Sequence, residues 1–296
     1  MAIVSGMEWE RSRAAAARFE YVEHAGSTND ELRIAVTGPD AAAWPHGSVL
    51  VTDDQTAGRG RLGRTWLAPS GKTLAISLLL RPVAPDGTAL PPDAFGWIPL
   101  IAGAAMTEAV RRELERAPAY PAVGDEADAS DDALLGGTTL EAALKWPNDV
   151  LISGYKVCGI LSELLPDASG VIVGAGLNLT LDEHDLPTLT STSLLLATGR
   201  RPDADAVLAD YLSGFLELFG RYLEAGGDAR ASGIADRVAA LCGTLGEEVR
   251  VELPGDRRFV GTAERLDGDG RLVVHDRESD QTQAVAAGDV THLRYE

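Results

Sequence analysis

The segment Thr73–Leu80 reads T-L-A-I-S-L-L-L, apolar on both faces, the pattern of a strand covered on two sides. Ser48–Thr52 (S-V-L-V-T) is a shorter buried strand, and Phe19–Glu23 is another short candidate. A strand over Leu140–Trp146 ends at the turn signal Pro147-Asn148-Asp149, and Val150–Ser153 follows. Gly154-Tyr155 makes the hairpin turn to Lys156–Leu165, and Val171–Thr180 is a further strand. Three stretches carry helical period. Phe95–Arg116 has a small-residue side, Ala102-Gly103-Ala104-Ala105, suited to close packing on a sheet, with Arg111, Arg112, Glu113 and Glu115 assigned to water. Ala204–Ala225 buries a stripe from Val207 to Tyr222, which reads as core, and Ile234–Cys242 is a third helix. Around Ser27-Thr28-Asn29-Asp30-Glu31 the spacing of Ser27 with Asp30, or of Thr28 with Glu31, makes a capping box that opens a helix. From Leu245 onward the period changes to short alternating strands with a D-G-D-G turn at Asp267–Gly270, the pattern of a small β-barrel.

Strands interleaved with helices and then strands alone give an α/β (α+β) domain over residues 19–243 and a β-barrel domain over 244–296. A chain of 296 residues with 45% hydrophobic content can bury both cores. Residues 1–18 hold an alanine-rich, charged run with little to bury and read as a loose tail or a short helix. Residues 117–137 combine two prolines with five acids and no base, a composition that stays disordered. No apolar run reaches the ~18 residues of a membrane span, and the N-terminus lacks a signal-peptide pattern, so a cytoplasmic location is expected. Cys158 and Cys242 form no C-x-x-C and read as reduced core thiols. A formal charge of −19 repels a phosphate backbone and argues against nucleic-acid binding.

Against that acidity, Gln55–Trp66 (Q-T-A-G-R-G-R-L-G-R-T-W) places Arg59, Arg61 and Arg64 among Gly58, Gly60 and Gly63. Arginine offers fixed donors and a permanent charge, and glycine lets backbone approach a ligand, so the segment is suited to wrap an anion. Its G-x-G-x-x-G spacing is not followed by a helix pattern, which excludes the dinucleotide fingerprint. Gly71-Lys72-Thr73 lacks the upstream glycine of a phosphate-binding Walker loop. As a bare pattern the run also allows a flexible basic surface loop or an RNA-binding tract. Equally, Gly174 and Gly176 imply a close approach to the strand by a ligand or by a packed helix.

Gln55–Trp66, Lys145-Trp146-Pro147-Asn148-Asp149 and Gly174-Ala175-Gly176-Leu177-Asn178, in this order, resemble the biotin protein ligases, or biotin–acetyl-CoA-carboxylase ligases, over residues 19–296. The resemblance implies a mixed-sheet, class II synthetase-like catalytic domain with a small SH3-like C-terminal β-barrel. It implies formation of biotinyl-5′-AMP from biotin and MgATP, then transfer to a lysine of a biotin carboxyl carrier domain. Lys145, Arg59 and Arg61 are the implied catalytic cations. Ser27, Thr28, Asn29, Gln55, Gly58, Gly60, Gly174 and Gly176, with Arg59, Arg61 and Lys145, are the implied biotin contacts. Arg64, Trp66, Asn148, Lys156 and Asn178 join Arg59 and Arg61 around the nucleotide, Trp66 stacking on adenine. The arginine segment is expected to be mobile when empty and to fold over the adenylate. Mg²⁺ is expected with ATP, with ligands chiefly from phosphate oxygens and water, and no protein ligand is identified. Some relatives repress transcription through an N-terminal winged helix several times longer than residues 1–18, so a plain ligase is expected. Relatives also pair their central sheets, which allows a homodimer. The lipoate ligases and octanoyl transferases share the fold but lack the Gly-Arg-Gly-Arg…Trp run. A non-catalytic biotin-binding regulator is opposed by the presence of Lys145.

Overall fold

The computed structural model describes residues 8–66, 69–116, 140–253, 257–286 and 289–293; the acidic stretch 117–137 lies outside them. In chain order, α1 (Glu10–Ala15) and β1 (Arg18–Tyr21) precede α2 (Thr28–Thr37), β2 (Ser48–Thr52) and two minimal strands, β3 (Gly58–Arg59) and β4 (Thr65–Trp66). Next come β5 (Thr73–Leu80), α3 (Ile98–Arg116), β6 (Ala142–Lys145), β7 (Asp149–Ile152), β8 (Tyr155–Leu164) and β9 (Val171–Asn178). Helices α4 (Leu194–Thr198), α5 (Ala204–Glu224) and α6 (Ile234–Leu241) lead to β10 (Glu248–Leu253), β11 (Arg257–Leu266), β12 (Leu272–Asp276), β13 (Gln281–Val285) and β14 (Asp289–His292).

The first sheet has seven strands in the order β1-β2-β5-β9-β8-β7-β6. β1 runs parallel to β2 and every other pair is antiparallel, so the sheet is mixed. β5 is buried at all its positions, as its two-sided apolar run requires. One face packs on α3 and α5, where Tyr211, Phe215, Phe219 and Tyr222 are among the largest fully buried side chains. On the other face α2 covers only one end, seating Leu32 and Val36 against Leu50, Leu79 and Ile172. The rest of that face, across β5, β9 and β8, is the floor of a cavity.

The second sheet is antiparallel, in the order β13-β12-β11-β10-β14. Its turn at residues 267–270 docks on two indoles of the first domain: Trp97 Nε1 donates to Gly268 O at 2.7 Å and Trp146 Nε1 to Gly270 O at 3.1 Å. The tryptophan of the Lys-Trp-Pro-Asn-Asp stretch is thus a buried strut between the sheets, 2% exposed. Both cysteines are buried and outside any disulfide. Among the described residues, no helix is long and apolar enough to cross a membrane.

Three expectations need correction. Of the two readings of the N-terminal segment, the short helix forms, as α1, and the loose tail is corrected over the described part: Trp9 is 2% exposed and lies 5.9 Å from the Tyr21 ring, while Ser12 Oγ donates to Asp205 of α5 at 2.6 Å. The capping box does not form, because the Ser27 side chain makes no cap hydrogen bond; Gln55 Oε1 instead accepts from the Thr28 backbone N–H at 2.8 Å. Glu113 does not face water. It is fully buried, one helical step from Ala109 and Val110, and pairs with Arg200 Nη2 at 2.7 Å and, more loosely, with Arg116 at 3.5 Å.

Burial pushes the Glu113 carboxyl above its ordinary range, against the pull of Arg200 and Arg116. A carboxyl raised in this way holds its proton to higher pH in the native state than in the unfolded chain. Its contribution to stability is therefore present below the unfolded value and lost as pH rises through the folded one. Arg200→Ala leaves the charge less compensated: it should cost about 2 kcal/mol of unfolding free energy at pH 8, less than a wholly buried pair because Arg200 is partly exposed. The deficit should be smaller at pH 5, because lowering the pH favours the protonated form of Glu113. Urea unfolding at both pH values measures it, and a deficit independent of pH would exclude Glu113 as the cause.

Candidate active site

The cavity floor follows from strand register. Ala75, Gly176, Gly159 and Asp149 stand directly opposite one another across β5, β9, β8 and β7, and Ser77, Gly174 and Leu161 form the neighbouring row. Glycine at three of these positions leaves a depression that side chains enter. A Cβ at Gly174 would sit 2.5 Å from Asn29 Oδ1, one at Gly176 2.6 Å from the Trp66 indole, and one at Gly159 3.1 Å from Lys156 Nζ. The approach to these glycines, left open by sequence, is made by side chains of the chain itself.

Asn29 comes from the first turn of α2. Its Oδ1 accepts from Ser77 Oγ at 2.6 Å and its Nδ2 donates to Glu163 Oε2 at 2.7 Å, so both ends of the amide are fixed. Thr28 is beside it, its hydroxyl donating to Gln55 Oε1 at 3.1 Å. Trp66 is carried by the β3–β4 hairpin, in which Gly58 pairs with Trp66 and Arg59 with Thr65. At its tip Leu62 and Gly63 both have positive φ, 57° and 73°, which glycine tolerates without cost at the second position. Gly60 N–H donates to Arg64 O at 2.7 Å. The segment folds as a hairpin tied across the cavity: Arg59 pairs with Asp30 and Glu163, and Arg61 Nη1 donates to Asn148 Oδ1 at 3.0 Å. Asn148 is itself anchored through Nδ2 to Ile160 O at 2.8 Å.

Lys156 reaches the floor because β8 is irregular. The β7–β8 register shifts between Val150 and Leu151, giving β8 one extra residue at Val157. Such a bulge reverses the facing of what precedes it. Lys156 therefore lies over Gly159, where Nζ bonds Asp149 Oδ1 at 2.6 Å. Lys145 pairs with Asp149 across β6–β7, on the same sheet face but at its edge. Strands are about 5 Å apart, which sets its Cα about 10 Å from that of Gly159. Lys145 does not line the cavity, and the lysine at the floor is Lys156.

The cavity holds about 380 Å³, and its lining includes Ser27, Thr28, Asn29, Gln55, Arg59, Gly60, Arg61, Arg64, Trp66, Asn148, Lys156, Gly174, Gly176 and Asn178. Of the sequence-identified residues, Lys145 and Gly58 are outside it. Gly58 serves from beneath, since a Cβ there would meet Gln55 Nε2 at 2.6 Å and Trp66 O at 2.8 Å. Sequence reasoning missed the rim Thr188, Thr190 and Ser191, whose hydroxyls bond one another. The hydroxyl-rich run T-L-T-S-T-S was the available signal. It also missed Asp30 and Glu163, which hold Arg59; an acid inside an otherwise apolar strand was the clue for Glu163.

Hydrogen bonds from Arg59, with Arg33, hold the Asp30 carboxyl below the usual range against the opposing effect of burial, and Asp30 in turn keeps Arg59 firmly protonated. Burial pushes the Cys158 thiol up to about 12, so it offers no thiolate to the cavity. One end of the cavity therefore presents neutral amide and hydroxyl groups, and the other presents Arg61, Arg64 and Lys156.

Residues 27–178 match the profile of the Biotin/lipoate A/B protein ligase family, and residues 244–293 that of the Biotin protein ligase C terminal domain. The chain is 36% identical to the biotin–[acetyl-CoA-carboxylase] ligase of Mycobacterium tuberculosis, over 94% of this chain and 90% of that protein. It is 30% identical to the bifunctional ligase/repressor of Bacillus subtilis over 62% of this chain, which spans about half of that relative (49%). The fold superposes on the biotin protein ligase of Aquifex aeolicus in complex with biotin and ATP with a TM-score of 0.67, at 26% identity, covering 93% of this chain and 98% of that one.

Proposed function

Because the chain belongs to the biotin/lipoate A/B protein ligase family, we propose that this cavity joins biotin to ATP as biotinyl-5′-AMP and passes the biotinyl group to a lysine of a carrier domain of acetyl-CoA carboxylase. The observation that carries the reading is the two-ended cavity, with amide and hydroxyl groups converging at Asn29 and cations converging at Lys156. A fused urea ring needs neutral donors and acceptors, which Thr28, Asn29 and Gln55 supply. A carboxylate meeting a phosphate needs positive charge, which Arg61 and Lys156 supply.

In the first half-reaction a biotin carboxylate oxygen bonds to the α-phosphorus, the bond to the β-phosphate oxygen breaks, and pyrophosphate leaves with that electron pair. Lys156 Nζ and Arg61, both on the cavity lining, would neutralise the charge shared by the carboxylate and α-phosphate oxygens, and Asp149, bonded to Lys156, would keep it aimed. Trp66 and Asn178 border the space for adenine, and the hydroxyls of Thr188, Thr190 and Ser191 suit the ribose. In the second half-reaction the deprotonated acceptor amine attacks the acyl carbon and AMP departs. Mg²⁺ arriving with ATP would take its ligands chiefly from phosphate oxygens and water. ATP as substrate is consistent with a cytoplasmic reaction.

Incubation with radiolabelled ATP and either biotin or lipoate, followed by a carrier domain, tests the reading. The expected result is labelled adenylate with biotin alone, discharged when the carrier is added. Adenylate formed from lipoate and not from biotin would overturn it.

A further inference from the structure

Glu163 does not line the cavity, yet it is bonded to Asn29 at the neutral end and to Arg59 of the β3–β4 hairpin. Its Oε2 accepts from Asn29 Nδ2 at 2.7 Å, while Arg59 Nη2 lies 3.2 Å from Oε1 and 3.3 Å from Oε2. Arg33 Nη2 adds a third contact at 3.1 Å. Asp30 pairs with the same two arginines. Two carboxylates and two guanidiniums thereby tie α2, β8 and the β3–β4 hairpin together. We infer that Glu163 is a positioning residue that couples the neutral, ring-binding end of the cavity to its arginine hairpin.

The two sides of the carboxylate act by different physics. Asn29 needs only an acceptor oxygen, which an amide supplies as well as a carboxylate does. Arg59 needs the negative charge, because its bonds are charge-assisted. The Asn29 amide lies over Gly174, its Oδ1 is held by Ser77, and its Nδ2 has besides Glu163 only a long contact of 3.4 Å to Leu161 O, so losing the Glu163 oxygen removes the short bond that fixes the amide's nitrogen end. Losing only the charge leaves Asn29 in place and loosens Arg59, which is one of the hairpin's ties to the domain.

The inference rests on the ligase reading for its choice of ligand, and the experiment separates the two. Hydrogen exchange of residues 58–66 is followed in the ligand-free protein, and biotin affinity is measured by calorimetry. Glu163→Gln should speed hairpin exchange about tenfold while raising the biotin Kd by less than about threefold. Glu163→Ala should speed exchange equally and raise the Kd about tenfold or more. In an Arg59→Ala background, Glu163→Gln should no longer alter exchange. Unchanged exchange in Glu163→Gln, equal Kd changes in the two variants, or an exchange effect that survives Arg59→Ala would each overturn the coupling. Failure of the unsubstituted protein to bind biotin would sink the ligase reading, and the exchange measurements would still decide the tie between Glu163 and the hairpin.

Discussion

Lys156→Ala should lower biotin-dependent ATP–pyrophosphate exchange by about 10²–10³-fold, or ~3–4 kcal/mol, the loss that follows removal of one preorganised donor at a site of developing charge. The effect is large because Lys156 is preplaced. Its ammonium lies against Gly159 and on Asp149, so no reorganisation is needed when charge builds on the α-phosphate. Lys156→Arg should recover little, since a planar fork neither fits over the glycine nor keeps the single bond to Asp149. Lys145→Ala is the discriminating control. Lys145 stands one strand beyond Asp149 at the sheet edge and does not line the cavity. Its replacement should cost less than about tenfold, the scale of one net hydrogen bond. A larger loss from Lys145 than from Lys156 would reverse the assignment.

Arg61→Gly should raise the rate at which biotinyl-5′-AMP escapes by about 10–100-fold, the scale of a charge-assisted hydrogen bond of ~1.5–3 kcal/mol. Arg61 joins the hairpin to Asn148 on the opposite wall, and Asn148 is fixed to the β8 backbone. Removing the guanidinium takes away one of the ties that hold the roof and, on the proposed reading, a contact to the anion. The released mixed anhydride acylates amines nonspecifically, so bystander lysines should become biotinylated in proportion to escape. Streptavidin blotting of an unrelated protein, with adenylate release followed by rapid filtration, reads both. Full retention of the intermediate together with strict acceptor choice would contradict the latch.

Parts of this arrangement were legible in the sequence for definite reasons. β5 matches its apolar run residue for residue, because a central strand covered on both faces needs no polar alternation. The aromatic side of α5 was equally clear, since its period persists over six turns. The arginine–glycine hairpin stood out against an acidic chain. What escaped depends on long-range pairing. Glu113 looked solvent-facing because its partner Arg200 is 87 residues away. The lysine at the floor could not be chosen from sequence, because a one-residue bulge at Val157 decides which way Lys156 points and leaves no compositional trace. The Ser27 pattern promised a side-chain cap, but Gln55 from another loop satisfies the helix N–H instead. Trp9 seemed part of a tail because nothing nearby shows that Phe19 and Tyr21 will flank it.

The central claim is that Arg61 and Lys156 converge on one anion above the glycine floor while Asn29 holds the other end of the same ligand. A crystal structure of the protein with biotinyl-5′-AMP tests it most directly. The account predicts the phosphate oxygens within hydrogen-bonding distance of Lys156 Nζ and the Arg61 guanidinium, with the ring system against Thr28 and Asn29. A phosphate held by Lys145 with Lys156 turned away, or a ring bound at the cationic end, would contradict it.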